Sequence, residues 1–195
     1  MKKFKHHRLI RISLFSAISF LLMLFEFNIP LLPYFLKMGF SDLPALIIAF
    51  IYGPVDAILI AGGKNLLHLF ITTNLGIGEL ANFLIGASLV GSTAFAFKKL
   101  NFSRIASLVI GCIIMTIAAL VVNLYIILPL YERVLALPVE QIIELSSQVN
   151  PAVNDLRSYL AFVILPFNVF KGTILSIITI LLLKRFPAEY LAYKE

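Results

Sequence analysis

The chain has 195 residues, of which 61% are hydrophobic and 13% charged, and it carries a formal net charge of +6. That composition excludes an ordinary soluble globule and leaves almost no room for a soluble domain beside a membrane-embedded one. The one cysteine, Cys112, excludes an intrachain disulfide and reads as a small buried side chain in an apolar stretch.

The chain opens on a basic stretch, Lys2 to Arg11, followed by an apolar run. The pattern is that of a secretory leader, but the apolar run reaches Phe25. The following Glu26-Phe27-Asn28-Ile29-Pro30 offers no small-x-small cleavage site, so the expectation is an uncleaved first span over 9–27. Further spans follow at 43–52, 55–72, 79–97, 105–130 and 159–183. The second is too short to cross a bilayer alone, and Gly53-Pro54 breaks it from the third, so it reads as a tilted or partial helix packed on its neighbours. Asn74, Gly76 and Gly78 mark the turn between the third and fourth. Between the fifth and sixth, 138–150 places Val139, Ile142, Ile143 and Val149 at helical spacing, with Glu140 and Glu144 elsewhere on the turn. Either a short amphipathic helix or a plain interfacial loop fits that segment. The whole of 1–195 reads as a single membrane-embedded domain, and no internal repeat stands out.

The basic residues orient the bundle. Lys2, Lys3, Lys5, Arg8, Arg11, Lys98, Lys99, Arg104, Lys184, Arg185 and Lys194 fall on one side of a six-span arrangement. Lys37, Arg133 and Arg157 fall on the other, and Lys64 and Lys171 lie in or beside spans. A bias of eleven to three places both termini in the cytoplasm. The expected fold is therefore an all-α integral membrane protein, a bundle of six transmembrane helices, N-in and C-in, multi-pass in the cell membrane. With no tryptophan, aromatic anchoring falls to Tyr34, Tyr131 and Tyr159 near span ends.

Lys171 lies at the centre of the 25-residue run 159–183, about 18 Å of helix from either end. That is beyond comfortable snorkelling reach, so the amine must face protein, water or ligand. Asn168 lies on the same helical face, and Pro166 cannot donate to the carbonyl of Phe162, which loosens the helix locally. The segment reads as a polar binding site within the bundle; the plainer reading is a structural lysine paired with Glu79. Glu79 and Asn82 open the fourth span, where Glu79 caps the helix, pairs with a lysine or lines a cavity. Lys64, likewise, is a cavity or a structural residue. Asn123 sits well inside the fifth span and must bond either a neighbouring helix or a ligand. Asp42 and Asp56 stand at span ends, where helix capping is the simpler explanation. Glu26 reads as interfacial. Ser13 and Ala17 form a small-x-x-x-small pair that permits close approach of another helix.

Gly62-Gly63-Lys64-Asn65 has the look of a phosphate-binding loop ending, but Ile58 replaces its first glycine and Asn65 its Ser/Thr. The chain therefore has no means of hydrolysing ATP by itself. No zinc-protease, paired-aspartate or nucleophile-elbow pattern appears, so no catalytic residue and no metal site is expected. His68, four residues after Lys64, reads as a hydrogen-bonded helix residue.

Together, Phe40-Ser41-Asp42-Leu43-Pro44-Ala45-Leu46, Gly53-Pro54, Lys64-Asn65, Gly78-Glu79-Leu80-Ala81-Asn82-Phe83 and Pro166-Phe167-Asn168-Val169-Phe170-Lys171-Gly172 give the chain a family likeness. It resembles the substrate-binding (S) component of an energy-coupling factor transporter, in its riboflavin-selective branch. The resemblance implies a vitamin-binding protein that is not an enzyme and has no cofactor of its own, riboflavin being cargo. By it, Asn123, Asn168 and Lys171 supply polar contacts to the flavin, Leu43, Pro44 and Ala45 bound it, and the first outer loop is the lid. It also implies a transmembrane T subunit and two cytoplasmic ATPase subunits as partners, with docking through the face of Ser13 and Ala17. Two alanines are usual in the family at that pair. The rival readings are an S component for another vitamin or precursor, a non-transport membrane scaffold and, third, an intramembrane enzyme.

Overall fold

Helix α2 (Leu43–Tyr52) is short, and Pro44, Ala45, Leu46, Ile48, Ala49, Phe50 and Ile51 are all buried in it. It is wrapped by α1 (Lys2–Met23), α3 (Pro54–His68), α4 (Ile77–Lys98) and α9 (Leu165–Leu183). The computed structural model describes residues 2–30, 33 and 36–186, with side chains from His6 onward. Tyr34 and Lys194, expected as an aromatic anchor and an inner cation, lie outside the described residues, as does part of the expected lid.

Gly53 separates α2 from α3 at φ +89° and ψ −173°, a conformation that side chains disfavour, and Pro54 then starts α3 with its φ already set. After α4 the chain continues through α5 (Arg104–Val122), α6 (Leu128–Leu135), α7 (Val139–Ser147), α8 (Leu156–Tyr159) and α9. One π turn, Asn123–Ile127, joins α5 to α6, and another, Leu160–Ile164, joins α8 to α9. In both, a proline follows closely, Pro129 or Pro166, at the start of the next helix. A proline lacks the N–H and its ring clashes with the carbonyl four residues back, and the wider turn accommodates both.

Among the described residues, three helical stretches are long and apolar enough to cross a membrane: Ile77–Lys98, Arg104–Leu135 and Leu156–Leu183. Their outer faces expose Ile113, Ile117, Val121, Phe162, Phe170, Ile177 and Leu181, as lipid contact requires. Inside, Ala45, Ala49, Ala57, Ala61 and Ala94 are fully enclosed in the core shared by α2, α3 and α4. Lipid tails are as apolar as leucine, so small residues that let backbones approach do the packing work that water would otherwise drive. Gly63 shows how close: a Cβ there would lie 2.8 Å from Cβ of Ser16 on α1.

Several expectations change in detail. The first helix stops at Met23 rather than 27, because the chain then turns into a two-stranded antiparallel ribbon, β1 (Phe27–Asn28) with β2 (Lys37–Met38). The third stops at His68 rather than 72, and the fifth stretch runs on to Leu135, past 130. The 138–150 segment is helical over Val139–Ser147, with Ile142 buried and Glu140 exposed. Tyr159 is no anchor, being packed at 2% exposure among Val163, Ile164 and Ile142. Cys112 is half-buried, its sulfur against the Gly172 face of α9.

Candidate functional site

Two lysines buried in one bundle require a counter-charge, and Asp42 supplies it. Its carboxylate is 1% exposed at the start of α2 and makes no capping hydrogen bond, so the capping role expected for it is wrong. Instead Lys64 Nζ, completely buried on α3, donates to Asp42 Oδ1 at 2.5 Å and to Ser41 Oγ at 2.8 Å. Lys171 Nζ, on α9, lies 3.6 Å from Asp42 Oδ2. Gly86 on α4 makes the room, since a Cβ there would lie 2.8 Å from Asp42 Oδ1.

Glu26, expected to be interfacial, is half-buried. The β1–β2 ribbon folds it against Gly39, whose Cβ would fall 2.6 Å from Glu26 Cγ. Two amines, from α3 and α9, thus share the one carboxylate of Asp42. A buried ion costs several kcal/mol unless paired, and breaking such a pair is costlier than never building it.

Asn168 is 3% exposed, one turn before Lys171, and donates from Nδ2 to Ile164 O at 2.8 Å. Asn123 makes the same bond to Ala119 O, also 2.8 Å, at the head of the first π turn. Satisfying one amide proton on its own helix leaves an amide with an acceptor oxygen and a second donor proton. Asn123 stands apart from the charges. Cys112 and Met115 lie against Gly172, while Ala119 packs with Val163 and Ile164, so α5 and α9 run antiparallel. Asn123 is therefore about 12 Å farther along the bundle than Lys171, two turns of helix. Both π turns lie around the Asn123 level, a helical irregularity frequent at functional sites.

Leu43, Pro44 and Ala45 follow Asp42 directly, so the first turn of α2 adjoins the charged cluster; Pro44 and Ala45 are buried and Leu43 half-buried. The structure does not bring Glu79 to Lys171. Glu79 pairs instead with His68, Oε1 to Nδ1 at 2.7 Å, which makes His68 the hydrogen-bonded helix residue expected. Asn82 is half-buried, with an amide oxygen that has no partner among the described residues. Lys64 is an internal strut, locked to Asp42 and Ser41. Asp56 is no cap either: Gly53 holds that position, and Asp56 accepts from Arg8 Nε at 2.7 Å and from Arg11, clamping α1 to α3. Arg11 also lies over the Tyr52 ring, 3.3 Å from its centroid.

A cavity of about 610 Å³ opens near this clamp, lined by Arg8, Tyr52, Asp56, Lys98, Lys99 and Asn101 among others. It adjoins the far end of α2, about 15 Å from Asp42, and is separate from the buried cluster. On α1, Ser13 is exposed and Ala17 half-buried, flanked outward by exposed Leu9, Ile10 and Leu14. Sequence reasoning missed Asp42 and Ser41. The available signal was charge balance: two intramembrane lysines demanded a carboxylate between them.

A helical membrane bundle with apolar outer faces and an enclosed charged and amide-bearing interior defines the class, a membrane-embedded component built around an internal polar site. The chain matches the family "ECF transporter, substrate-specific component" over residues 7–183. It is 39% identical to the Riboflavin transporter RibU of Staphylococcus aureus (strain TCH60) over 185 residues, 93% of this chain and 90% of that one. It is 36% identical to the Riboflavin transporter FmnP of Bacillus subtilis (strain 168) over 181 residues, 89% of this chain and 88% of that one. A solved S component of a bacterial ECF transporter superposes with a TM-score of 0.74 at 36% identity, covering 97% of this chain and 99% of the other. The chain belongs to the substrate-specific components of ECF transporters. It is a membrane protein and a transport component, not an enzyme.

Proposed function

We propose that this chain is the riboflavin-binding subunit of an ATP-driven vitamin uptake system. The observation that carries the reading is Lys171 with Asn168, buried on one helical face in a chain whose relatives along nine-tenths of its length are riboflavin transporters. Riboflavin is an apolar planar ring with amide-like edges and a polyhydroxyl tail. It suits an apolar slot with a few converging donors and acceptors. In this reading Lys171, Asn168 and Asn123 meet the polar edges, and Leu43, Pro44 and Ala45 form the apolar wall. The two-turn span from Asn123 to Lys171 fits an elongated tricycle better than a compact ligand.

The rest of the reading concerns setting. Six spans in one domain, with both termini cytoplasmic, are supported by the asymmetry of the basic residues. The chain sits multi-pass in the cell membrane and captures riboflavin from outside. Energy comes from a T subunit and two cytoplasmic ATPases, supported by family membership and the lack of a nucleotide-binding motif in the sequence. The T subunit docks on the exposed face of Ser13 and Ala17. The test is to purify the chain from cells grown with riboflavin and record its visible absorbance. Co-purified flavin supports the reading; a colourless protein that also leaves added riboflavin's fluorescence unchanged contradicts it.

A further inference from the structure

Asp42 has two oxygens and uses them differently. Oδ1 is fixed by Lys64 at 2.5 Å, within a cradle closed by Ser41 on one side and Gly86 on the other. Oδ2 is buried and has no hydrogen-bond partner among the described residues, which is uncommon for a carboxylate oxygen inside a protein. Lys171 Nζ lies 3.6 Å from it, within strong electrostatic attraction but beyond ordinary hydrogen-bond distance. A carboxylate present only to neutralise Lys64 has no reason to aim its second oxygen at another helix.

We infer that Asp42 is a positioning residue for ligand capture: it draws the Lys171 ammonium to one place and leaves donor protons free for a ligand. The ammonium has three donors and a fixed direction of pull, so it presents hydrogens to whatever polar edge arrives beside it. Lys64 is the anchor that keeps Asp42 from following Lys171 when the ligand binds. Because Asp42 immediately precedes Leu43, Pro44 and Ala45, the same residue ties the apolar wall on α2 to the polar contact on α9. Glu26, just before β1, is half-buried and forms no ion pair with Lys171 among the described residues. The inference rests on the riboflavin-binding reading.

The experiment pairs Asp42→Asn with Lys64→Met, which removes one charge of each sign and so keeps the cluster balanced. Riboflavin affinity is measured by fluorescence titration in detergent, beside a thermal melt, for wild type, this double variant, Lys171→Ala and the triple variant. The double variant is expected to melt near the wild-type temperature yet bind about tenfold more weakly, the effect of a misplaced hydrogen-bond donor. The triple variant is expected to bind no more weakly than Lys171→Ala alone, because Asp42 acts through Lys171. Wild-type affinity in the double variant, or losses that simply multiply in the triple, would overturn the inference and reduce Asp42 to the counter-ion of Lys64. If the double variant does not fold, Asp42→Glu carries the same test, since it keeps the charge and the Lys64 pair but displaces the second oxygen. Unchanged affinity there also overturns the inference. A wild-type chain that binds no riboflavin would instead overturn the functional reading on which this rests.

Discussion

His68 at the end of α3 and Glu79 near the start of α4 are joined through Nδ1 and Oε1 at 2.7 Å, closing the turn between the two helices. Phe20 of α1 meets the same imidazole edge-on, with ring centroids 6.3 Å apart. Glu79 is thereby an element of the frame and stands apart from Lys171. Glu79→Gln weakens a nearly buried charged hydrogen bond and should lower stability by about 1–3 kcal/mol. Riboflavin affinity should stay within a few-fold of wild type. A thermal melt beside a fluorescence titration checks both, and a large affinity loss without a drop in melting temperature would return Glu79 to the site.

Gly86 should resist the usual helix-stabilising change. In an exposed helix interior, Gly→Ala gains up to about 1 kcal/mol. Here the added methyl meets Asp42 Oδ1 at 2.8 Å, and Asp42 is pinned by Lys64. Gly86→Ala is expected to destabilise by about 1–3 kcal/mol, as overpacking does. The melt of Gly86→Ala against wild type decides it, a gain in stability being the contrary result.

The orientation of the bundle is checked by replacing Cys112 and introducing single cysteines. Glu144→Cys on α7 is expected to react with an impermeant thiol reagent in intact cells. Leu100→Cys, after α4, should react only once the membrane is opened. The reverse order contradicts the six-span, N-in and C-in arrangement.

How far the sequence reached depends on the range of the physics involved. Lys171 was legible because a lysine in the middle of a long apolar run must be enclosed, whatever its partner. Its partner was not legible. Asp42 and Asp56 each precede or open a helix, and the local capping signal pointed one way while tertiary pairing with Lys64, Lys171, Arg8 and Arg11 decided the outcome. Pro166 announced a loosened helix, and the π turn before it is the form that loosening takes; the matching turn before Pro129 went unread. The β1–β2 ribbon was invisible because two-residue strands have no periodicity to detect. Glu26 followed from that gap, since only the ribbon carries it from the membrane edge back over Gly39.

Docking and binding should separate. Ser13 is exposed and Ala17 half-buried on the outer side of α1, away from the Asp42 cluster. Ser13→Trp combined with Ala17→Trp is expected to abolish riboflavin uptake in cells while leaving the isolated protein's affinity within a few-fold of wild type. Uptake assays beside titrations of the purified variant test this. Full uptake by the double-tryptophan protein would move the docking face elsewhere.

The most direct test of the account is the equilibrium titration of riboflavin against purified wild type, Lys171→Ala and Asn168→Ala. If Lys171 and Asn168 hold the ligand as proposed, each variant removes one buried polar partner, worth about 1–3 kcal/mol, so affinity should fall roughly 5- to 150-fold. Melting temperatures should show that the variants remain folded. Tight binding by wild type with that loss in both variants is the predicted result. Wild-type affinity in both, or no binding by the wild-type chain, would contradict a riboflavin site built on Lys171 and Asn168.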